Sequence, residues 1–427
     1  IDYEQKGFNS NFFGGPWSPT PDSNTSLTGG YSQAVEAMNE NRLGFLSNDE
    51  LSNLLDRLRV SDNRGQIKNL MLQSPFTQQY NLSVASQGEK TSSYVSLMYE
   101  NRKSNYKGTD DEKYNISFRT NANIFKWLDF SFISTFIMGN RNNNGDIYTG
   151  SRYDMLLDEN GNKTSLPSTF YWPNIERYVP YASFPYKDWS YNPLTEVEER
   201  DLKTSTLNSR IQAGLAFKLI DGLLFDTKFQ YEILNAETRN YYMEGSYFVR
   251  QLVNTTSSWD RTTDKVAANL PKGGILDQGK TERTSYNWRN QLTFNREFFG
   301  RDQLSAIAGM EIQNIVYKTT ESPRTYGYDD DRLTVGTFPN GVGGSGALQL
   351  KNWLGANQTF AYIHKFSHAT DRYVSFYVNA SYTIDNKYTI SGSARTDASN
   401  LITDDPKYRY APFWSVGASW NLSREDF

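Results

Sequence analysis

The sequence lacks cysteine altogether. Disulfides, thiolate metal ligands and thiol nucleophiles are therefore excluded. It also lacks any apolar run near the roughly 18 residues that a membrane-spanning helix requires, which excludes a helical membrane protein. No segment concentrates Lys and Arg, and the net charge is -4. Because a basic stripe is the electrostatic footprint of a nucleic-acid binder, nucleic acid is not expected as a partner.

Aromatic residues are abundant, although the chain is polar on average. They make up 15% of the 427 residues, whereas hydrophobic residues in total reach only 37%, and the mean hydropathy is -0.68. A large soluble core would need more Leu, Ile and Val. A barrel with a watery interior needs an apolar residue only at every second strand position. The composition therefore favours a membrane β-barrel.

Apolar and polar residues alternate along most of the chain after residue 75. The pattern begins in "QQYNLSVASQGEKTSSYVSLMYEN" (78–101), where two alternating runs flank a Gly-centred turn. Such a pattern predicts a β-hairpin with one apolar face, which either a soluble sandwich core or a lipid bilayer would accept. From Gln78 onward the sequence predicts about eleven strands of roughly 10 residues or more, the length that a tilted membrane strand needs. The sequence predicts an all-β, antiparallel fold.

The connections between these segments alternate between short and long. Short turns are predicted at "SQGEK", "FKW", "IDG", "FFGR" and "DNK". Long loops are predicted at roughly 139–203, 236–283 and 319–371, with the strand-like "NQTFAYIHKFSH" (357–368) assigned to the last loop. Outer-membrane barrels have short periplasmic turns and long extracellular loops. The alternation therefore indicates a transmembrane barrel.

The first 75 residues form a separate lead-in, followed by a partial barrel over 76–427. Ser47 and Glu50 have capping-box spacing, and Leu51, Leu54, Leu55 and Leu58 share one helical face. These features predict a short amphipathic helix near Leu51.

The first long loop is rich in aromatic residues, which have flat faces and polar groups suited to sugars or peptides. The candidates for substrate contact are Tyr171, Trp172, Tyr178, Tyr181, Tyr186, Trp189 and Tyr191. The alternative is that these rings pack on one another and make the loop compact.

Several stretches resemble the SusC-type, RagA-like family of TonB-dependent outer-membrane transporters. "QQYNLSVASQGEKTSSYVSLMYEN" resembles the early barrel hairpin of that family, and "YNISFRTNANIFKWLDF" resembles the strand pair that follows it. "DNKYTISGSARTDASNL" with "YAPFWSVGASWNLSREDF" resembles a mid-barrel block. The resemblance runs from about Leu51 to the end of the chain.

The resemblance implies TonB-dependent import of oligosaccharides or peptides across the outer membrane of a Gram-negative bacterium. It also implies a SusD-like surface lipoprotein that acts as a lid. About eleven strands is half of the about 22 expected for a large plugged barrel. We find no plug domain, TonB box or closing strands, and therefore expect a fragment of a longer protein that contacts TonB through its N-terminal region.

If the strands form a transmembrane barrel, their apolar face is predicted to contact outer-membrane lipid. The lipid-facing candidates are Tyr80, Leu82, Val84, Val95, Leu97, Tyr99, Phe225 and Phe229. The lumen-facing candidates are Gln79, Asn81, Ser83, Ser96 and Met98. The alternative function is a soluble, surface-located β-rich module that binds carbohydrate or mediates adhesion.

The remaining motifs match known nucleotide-binding or metal-binding patterns only in part. Gly341, Gly343 and Gly346 match a dinucleotide pattern without its strand and helix context. His364 and His368 lack the Glu that a zinc protease needs. Asp158 begins a "DENGN" turn that hints at calcium but departs from the calcium-loop pattern. Asp329 begins "DDD", for which the interpretations are a solvated loop or a contact with a cation such as calcium or with the lid protein. We expect no metal ion, no cofactor and no enzymatic activity.

Overall fold

The computed structural model describes residues 1–13, 31–338, 348–360, 364–401, 410 and 412–425. Its main feature is one antiparallel sheet in which eleven strands follow one another in chain order. The strands are β1 (Phe76–Gln87), β2 (Thr91–Lys103), β3 (Thr109–Phe125), β4 (Leu128–Asn143), β5 (Arg200–Ile220), β6 (Leu223–Tyr242), β7 (Gly274–Phe298), β8 (Asp302–Glu321), β9 (Lys365–Ile384), β10 (Tyr388–Ser399) and β11 (Pro412–Trp420). A short strand, Thr325–Tyr328, also pairs with β7. The predicted antiparallel all-β fold is confirmed.

The predicted short turns lie at one end of the sheet and the three long loops at the other, where the connection between β2 and β3 (104–108) is also short. The five short turns follow β1, β3, β5, β7 and β9. In the turn after β9, Asp385 and Asn386 both have positive φ angles, of 52° and 57°. Two consecutive positive φ angles are the geometry of a type I′ hairpin turn, which suits the right-handed twist of the strands. Because the turns alternate, the three long loops lie together at the other end.

The strands extend further into the loops than predicted. The loops span 144–199, 243–273 and 322–364. The assignment of 357–368 to a loop is wrong in part: Asn357–Phe360 pairs with Leu348–Lys351 outside the main sheet, but Lys365 to His368 belong to β9 and pair with β8. Beyond a membrane both faces of a strand meet water, so the apolar alternation that marks a strand disappears there.

The register places the eight lipid-facing candidates on one face of the sheet, here called the outer face. Tyr80 pairs with Tyr99, Leu82 with Leu97 and Val84 with Val95. The same face continues through the register of β2 to β6 to reach Phe225 and Phe229. Leu82 is 63% exposed and Phe229 is 48% exposed. The outer face is therefore an apolar surface that the described part of the chain leaves uncovered.

Aromatic rings lie at two levels of the outer face. Tyr99 has its ring 5.0 Å from that of Tyr114 on the loop side, and Trp127 stacks between Phe125 and Phe217 near the short turns. Eleven residues separate Tyr114 from Phe125 along β3, or about 36 Å at 3.3 Å per residue. A tilt near 45° reduces this to a height of about 25 Å, which is that of the apolar band of an outer-membrane barrel between its aromatic girdles.

The described residues also include several helices, in the lead-in, in the long loops and after the last strand. Their bounds are Asp2–Asn9, Gln33–Arg42, Asn48–Val60, Arg64–Gln66, Trp172–Tyr178, Pro193–Glu198 and Tyr247–Thr256, with a π-helical turn at Ile67–Met71 and 3-10 turns at Tyr181–Ser183 and Leu422–Arg424. The predicted helix is confirmed, and Ser47 and Glu50 form both bonds of its capping box. No helix of the described ranges is long and apolar enough to cross a membrane.

The buried apolar side chains lie almost entirely outside the sheet. Among those of the described residues, only Ile275, Leu276 and Ala398 belong to the eleven strands. The others form clusters within the helical lead-in and the long loops. A two-layer sandwich would instead bury its strand residues between two sheets. The sheet therefore does not form a sandwich core within the described part of the chain.

Candidate functional site

The three long loops pack together into one unit, here called the loop layer (the described residues of 144–199, 243–273 and 322–364). Its central element is the helix Tyr247–Thr256. Ser246 caps this helix by accepting a hydrogen bond from the Val249 amide at 3.2 Å. The buried Glu196 carboxylate accepts bonds from the Tyr247 and Phe248 amides. These contacts satisfy free N–H groups at the start of the helix.

Two polar side chains on one face of this helix hold the main chain of the first loop. Asn254, which is fully buried, accepts a bond from Tyr186 N at 3.0 Å and donates one to Tyr186 O at 2.8 Å. Arg250 donates to the Asp188 and Ser190 carbonyls at 2.7 and 3.0 Å. Positions i and i+4 of a helix lie on one face, so both side chains reach the same strip of main chain. We call this set of contacts the loop clamp.

The clamp supports a cluster of aromatic rings that joins the first and third loops. The Trp189 ring lies 5.4 Å from Phe170, 5.2 Å from Phe184 and 5.3 Å from Trp353. Aromatic pairs at such distances contribute beyond the burial of area alone. The loop layer is therefore held together by its own apolar core.

The structure separates the seven predicted substrate-contact residues into two groups. Trp189 is 3% exposed and Tyr186 is 7% exposed, and the Tyr186 hydroxyl accepts a bond from Gly273 N. These two rings pack within the layer. The partly exposed group is Tyr171, Trp172, Tyr178, Tyr181 and Tyr191. Burial raises the pKa of Tyr191 to about 12.

A cleft of about 500 Å³ lies between the first loop and the helical lead-in. It is lined by Tyr31, Tyr148, Thr149, Asp154, Ser168 and Tyr191, among others, and is here called the Asp154 cleft. Asp154 is only 4% exposed. Its Oδ2 accepts bonds from the Tyr148 hydroxyl and from Ser151 N, both at 2.7 Å. Burial raises the pKa of the Asp154 carboxyl.

A second cleft, of about 560 Å³, lies on the other face of the sheet, the inner face, at the loop ends of β6, β7 and β8. Thr238, Thr281 and Thr319 line it, and Arg324 forms a two-pronged ion pair with Asp277 at 2.7 and 2.8 Å. The cleft therefore offers hydroxyl and charged groups directly beneath the loop layer.

The inner face is polar along its length. It carries the five predicted lumen-facing residues of β1 and β2. Further along the same face, Arg283 pairs with Glu232 at 2.8 Å and Lys228 pairs with Asp226 at 3.2 Å. A polar inner face opposite an apolar outer face is the arrangement of an outer-membrane barrel.

The two candidate calcium loops use their carboxylates within their own turns. Asp158 Oδ1 accepts bonds from Asn160 N and Asn162 N, and Asp329 Oδ1 accepts bonds from Asp331 N and Arg332 N. In the described ranges, no group of three His, Asp or Glu side chains could hold a metal ion. The glycines at 341, 343 and 346 lie outside the described residues.

Sequence reasoning missed Arg250, Asn254 and Asp154. Val249 and Val253 are four residues apart and both buried. Arg250 and Asn254 have the same spacing, and this helical pattern is the local signal that could have revealed them. The partners of Asp154 lie a few residues away, but its burial depends on the lead-in packing against the loop. No local pattern reveals such a long-range contact.

Comparisons with known proteins agree with this geometry. No family model matches the chain. The fold is that of part of a TonB-dependent outer-membrane β-barrel: the chain superposes on the RagAB peptide transporter with a TM-score of 0.61 and 17% identity, covering 86% of this chain and 36% of that one. The closed-closed state of the RagAB peptide importer gives a TM-score of 0.62 at 16% identity, covering 93% and 42%.

The sequence comparison points the same way. The TonB-dependent receptor P26 of Formosa agariphila is 22% identical over 356 residues, which cover 81% of this chain and 30% of the receptor. The predicted resemblance to SusC/RagA-type TonB-dependent transporters is confirmed. The chain spans about a third of the length of the proteins it matches first, 30% and 36%.

Proposed function

We propose that this chain is the part of a TonB-dependent outer-membrane importer that contains eleven barrel strands and the substrate-capturing loop layer. The observation that carries the proposal is the sheet with an uncovered apolar outer face and a polar inner face, joined at one end to a compact loop layer. The outer face would contact lipid and the inner face a plugged lumen. The protein would therefore be a multi-pass protein of the outer membrane of a Gram-negative bacterium.

The proposed substrate is an oligosaccharide or a peptide captured from outside the cell. Two similar solved structures are named as the RagAB peptide transporter and the RagAB peptide importer. Partly exposed rings such as Tyr181 and Trp172 suit either substrate. A SusD-like surface lipoprotein would cover the loop layer after capture. Energy would come from TonB.

Each part of the site has a proposed role in uptake. The rings of the first loop make the first contacts, because they retain exposed area on a layer that the clamp holds rigid. The cleft beneath the layer, with Arg324 and its threonines, receives the substrate at the mouth of the lumen. None of these steps breaks a covalent bond, so the chain is proposed to be a transporter and not an enzyme.

The alternative of a soluble carbohydrate-binding or adhesive module is less consistent with the structure. Residues such as Leu82, Val84 and Trp414 are more than half exposed on the outer face. Large apolar patches on a soluble monomer cause association. A barrel should need detergent to stay monodisperse, whereas a soluble module should not.

Uptake by the native bacterium tests the proposal. Deleting the gene is expected to abolish import of at least one member of a panel of fluorescent peptides and oligosaccharides, and affinity purification of the tagged protein from outer membranes should recover a surface lipoprotein. A strain lacking TonB serves as control, because it should lose the same import while retaining the protein. Unchanged import of the whole panel, or recovery of the protein in the soluble fraction, would contradict the proposal.

A further inference from the structure

The Asp154 carboxylate is short of hydrogen-bond donors. Its Oδ2 accepts the two bonds already described, but its Oδ1 is buried and has no hydrogen-bond partner among the described residues. No salt bridge to Asp154 exists in the part of the chain that the structure describes. A buried carboxylate with one unpartnered oxygen and no cation is costly for a fold to maintain. Such a group is common at functional sites.

The position of this carboxylate is fixed in advance. Asp154 N donates to Ser151 O at 3.1 Å, which closes a tight turn. The buried Asn63 then donates to the carbonyls of both Ser151 and Asp154, at 2.8 and 2.9 Å. A group held by its surroundings loses little freedom when a ligand binds, so more of the contact energy appears as affinity.

Gly150 allows the Tyr148 ring to lie beside this carboxylate. A Cβ at position 150 would lie 2.0 Å from the Tyr148 hydroxyl oxygen, so any larger residue would push the ring away from Asp154. Tyr31 and Tyr191 also line the cleft. The cleft therefore combines one fixed anion with three aromatic rings, whose faces attract cations.

The charge around the cleft selects the class of ligand. Among the described residues that line the cleft, Asp154 is the one charged side chain, so the cleft offers a negative charge and no cation. An anionic ligand would be repelled, whereas a protonated amine would neutralise the carboxylate and donate a hydrogen bond to it. A neutral hydroxyl would supply only the bond.

We propose that the Asp154 cleft binds a primary ammonium group of the imported substrate. The inference rests on the proposed function, because it names a chemical feature of the substrate that the loop layer captures. Two substrate types carry this group, namely a peptide with a free N-terminus and an oligosaccharide of unacetylated amino sugars. The contacts would be an ion pair with Asp154 and cation–π contacts with Tyr148 and Tyr191.

Isothermal titration calorimetry of the full chain in detergent tests the proposal with four probes. These are trialanine, N-acetyl-trialanine, a glucosamine trisaccharide and the N-acetylglucosamine trisaccharide. In at least one pair the free amine is expected to bind about tenfold or more tightly than its acetylated form, because a charge-assisted bond is lost on acetylation. The pair that shows the difference identifies the source of the amine. Equal affinities within both pairs would overturn the proposal.

Three variants locate the effect. Asp154→Asn retains the shape and is expected to abolish the preference for the free amine without lowering thermal stability. Glu159→Gln, which removes an exposed carboxylate from the same loop, is expected to retain it. Thr149→Trp narrows the cleft from an exposed position and should weaken binding of the free amine while Asp154 stays in place. A preference for the free amine that survives Asp154→Asn, or unchanged binding of the free amine in Thr149→Trp, would overturn the assignment.

Failure of this inference is distinguishable from failure of the proposed function. A chain that supports import yet shows no amine preference would overturn only the inference. A chain that binds free amines through Asp154 but supports no import would overturn only the proposed function.

Discussion

Replacing Leu97 with arginine is expected to destabilise the folded chain in a bilayer by about 2–4 kcal/mol, the cost of a cation near the midplane of a lipid-facing strand. Leu97 lies on the outer face, 43% exposed, between Leu82 and Ile116 of the neighbouring strands. The apolar row gives the guanidinium no partner, and lipid provides no water. Urea unfolding of the full-length protein in lipid vesicles, followed by tryptophan fluorescence, measures the loss.

Met98→Arg is the matched control for this variant. Met98 is the next residue of β2 and lies on the inner face, where it pairs with Asn81 and Asn115. An arginine there meets amides and is expected to change stability by less than about 1 kcal/mol. Equal losses in the two variants would show that the outer face does not contact lipid. A large loss for Leu97→Arg alone would also count against the soluble module.

The strands were predictable wherever their two faces meet different surroundings. In β1 and β2 every second residue is apolar, because one face lies on the outer side of the sheet and the other on the inner side. The sequence therefore predicted the strands and the face on which each residue lies, for instance Tyr80 and Tyr99 on the same face, whereas their pairing is seen only in the structure. Lys365 to His368 continue β9 without such alternation, so their strand state depends on pairing with β8 and not on a local pattern.

The loop layer was predictable only as a collection of aromatic residues. Its organisation depends on contacts between segments that are far apart in sequence, such as Asn254 with Tyr186 and Trp189 with Trp353. The rings of the aromatic loop differ in exposure, although Trp172, Tyr178 and Tyr181 pack against the same cluster as Trp189. Trp189 packs internally, whereas Tyr181 retains exposed area. Sequence alone cannot divide the rings in this way, because the division depends on which loop covers which ring.

Replacing Asn254 with leucine is expected to open the loop layer while leaving the sheet folded. Leucine has a similar size and retains helix propensity, but it cannot form either bond to Tyr186. The amide and carbonyl of Tyr186 would then be buried without partners, at a cost of about 1–3 kcal/mol each. The total of about 2–6 kcal/mol is lost from the loop layer alone, so local opening is the expected result. The strand pairing is unaffected, because none of its hydrogen bonds involves Asn254.

Hydrogen exchange and tryptophan fluorescence measure this opening of the loop layer directly. The amide of Tyr186 should exchange at least about thirtyfold faster, which corresponds to about 2 kcal/mol. Emission from Trp189 and Trp353 should shift to the red as their cluster admits water. The control is Gln251→Leu, which removes a side-chain amide from the same helix at a position that makes neither bond to Tyr186. Similar exchange rates in both variants would show that the clamp does not hold the layer.

The clamp variant also connects loop order to transport. If the partly exposed rings of the first loop capture substrate because the layer holds them in place, Asn254→Leu should reduce uptake by more than about tenfold at low substrate concentration. Without the clamp, part of the binding energy must order the loop layer, which weakens the affinity for substrate. The loss should therefore be smaller at saturating substrate. Unchanged uptake alongside faster exchange would mean that capture does not need an ordered loop layer. The substrate contacts would then have to come from the inner face, where Arg324 and its threonines lie.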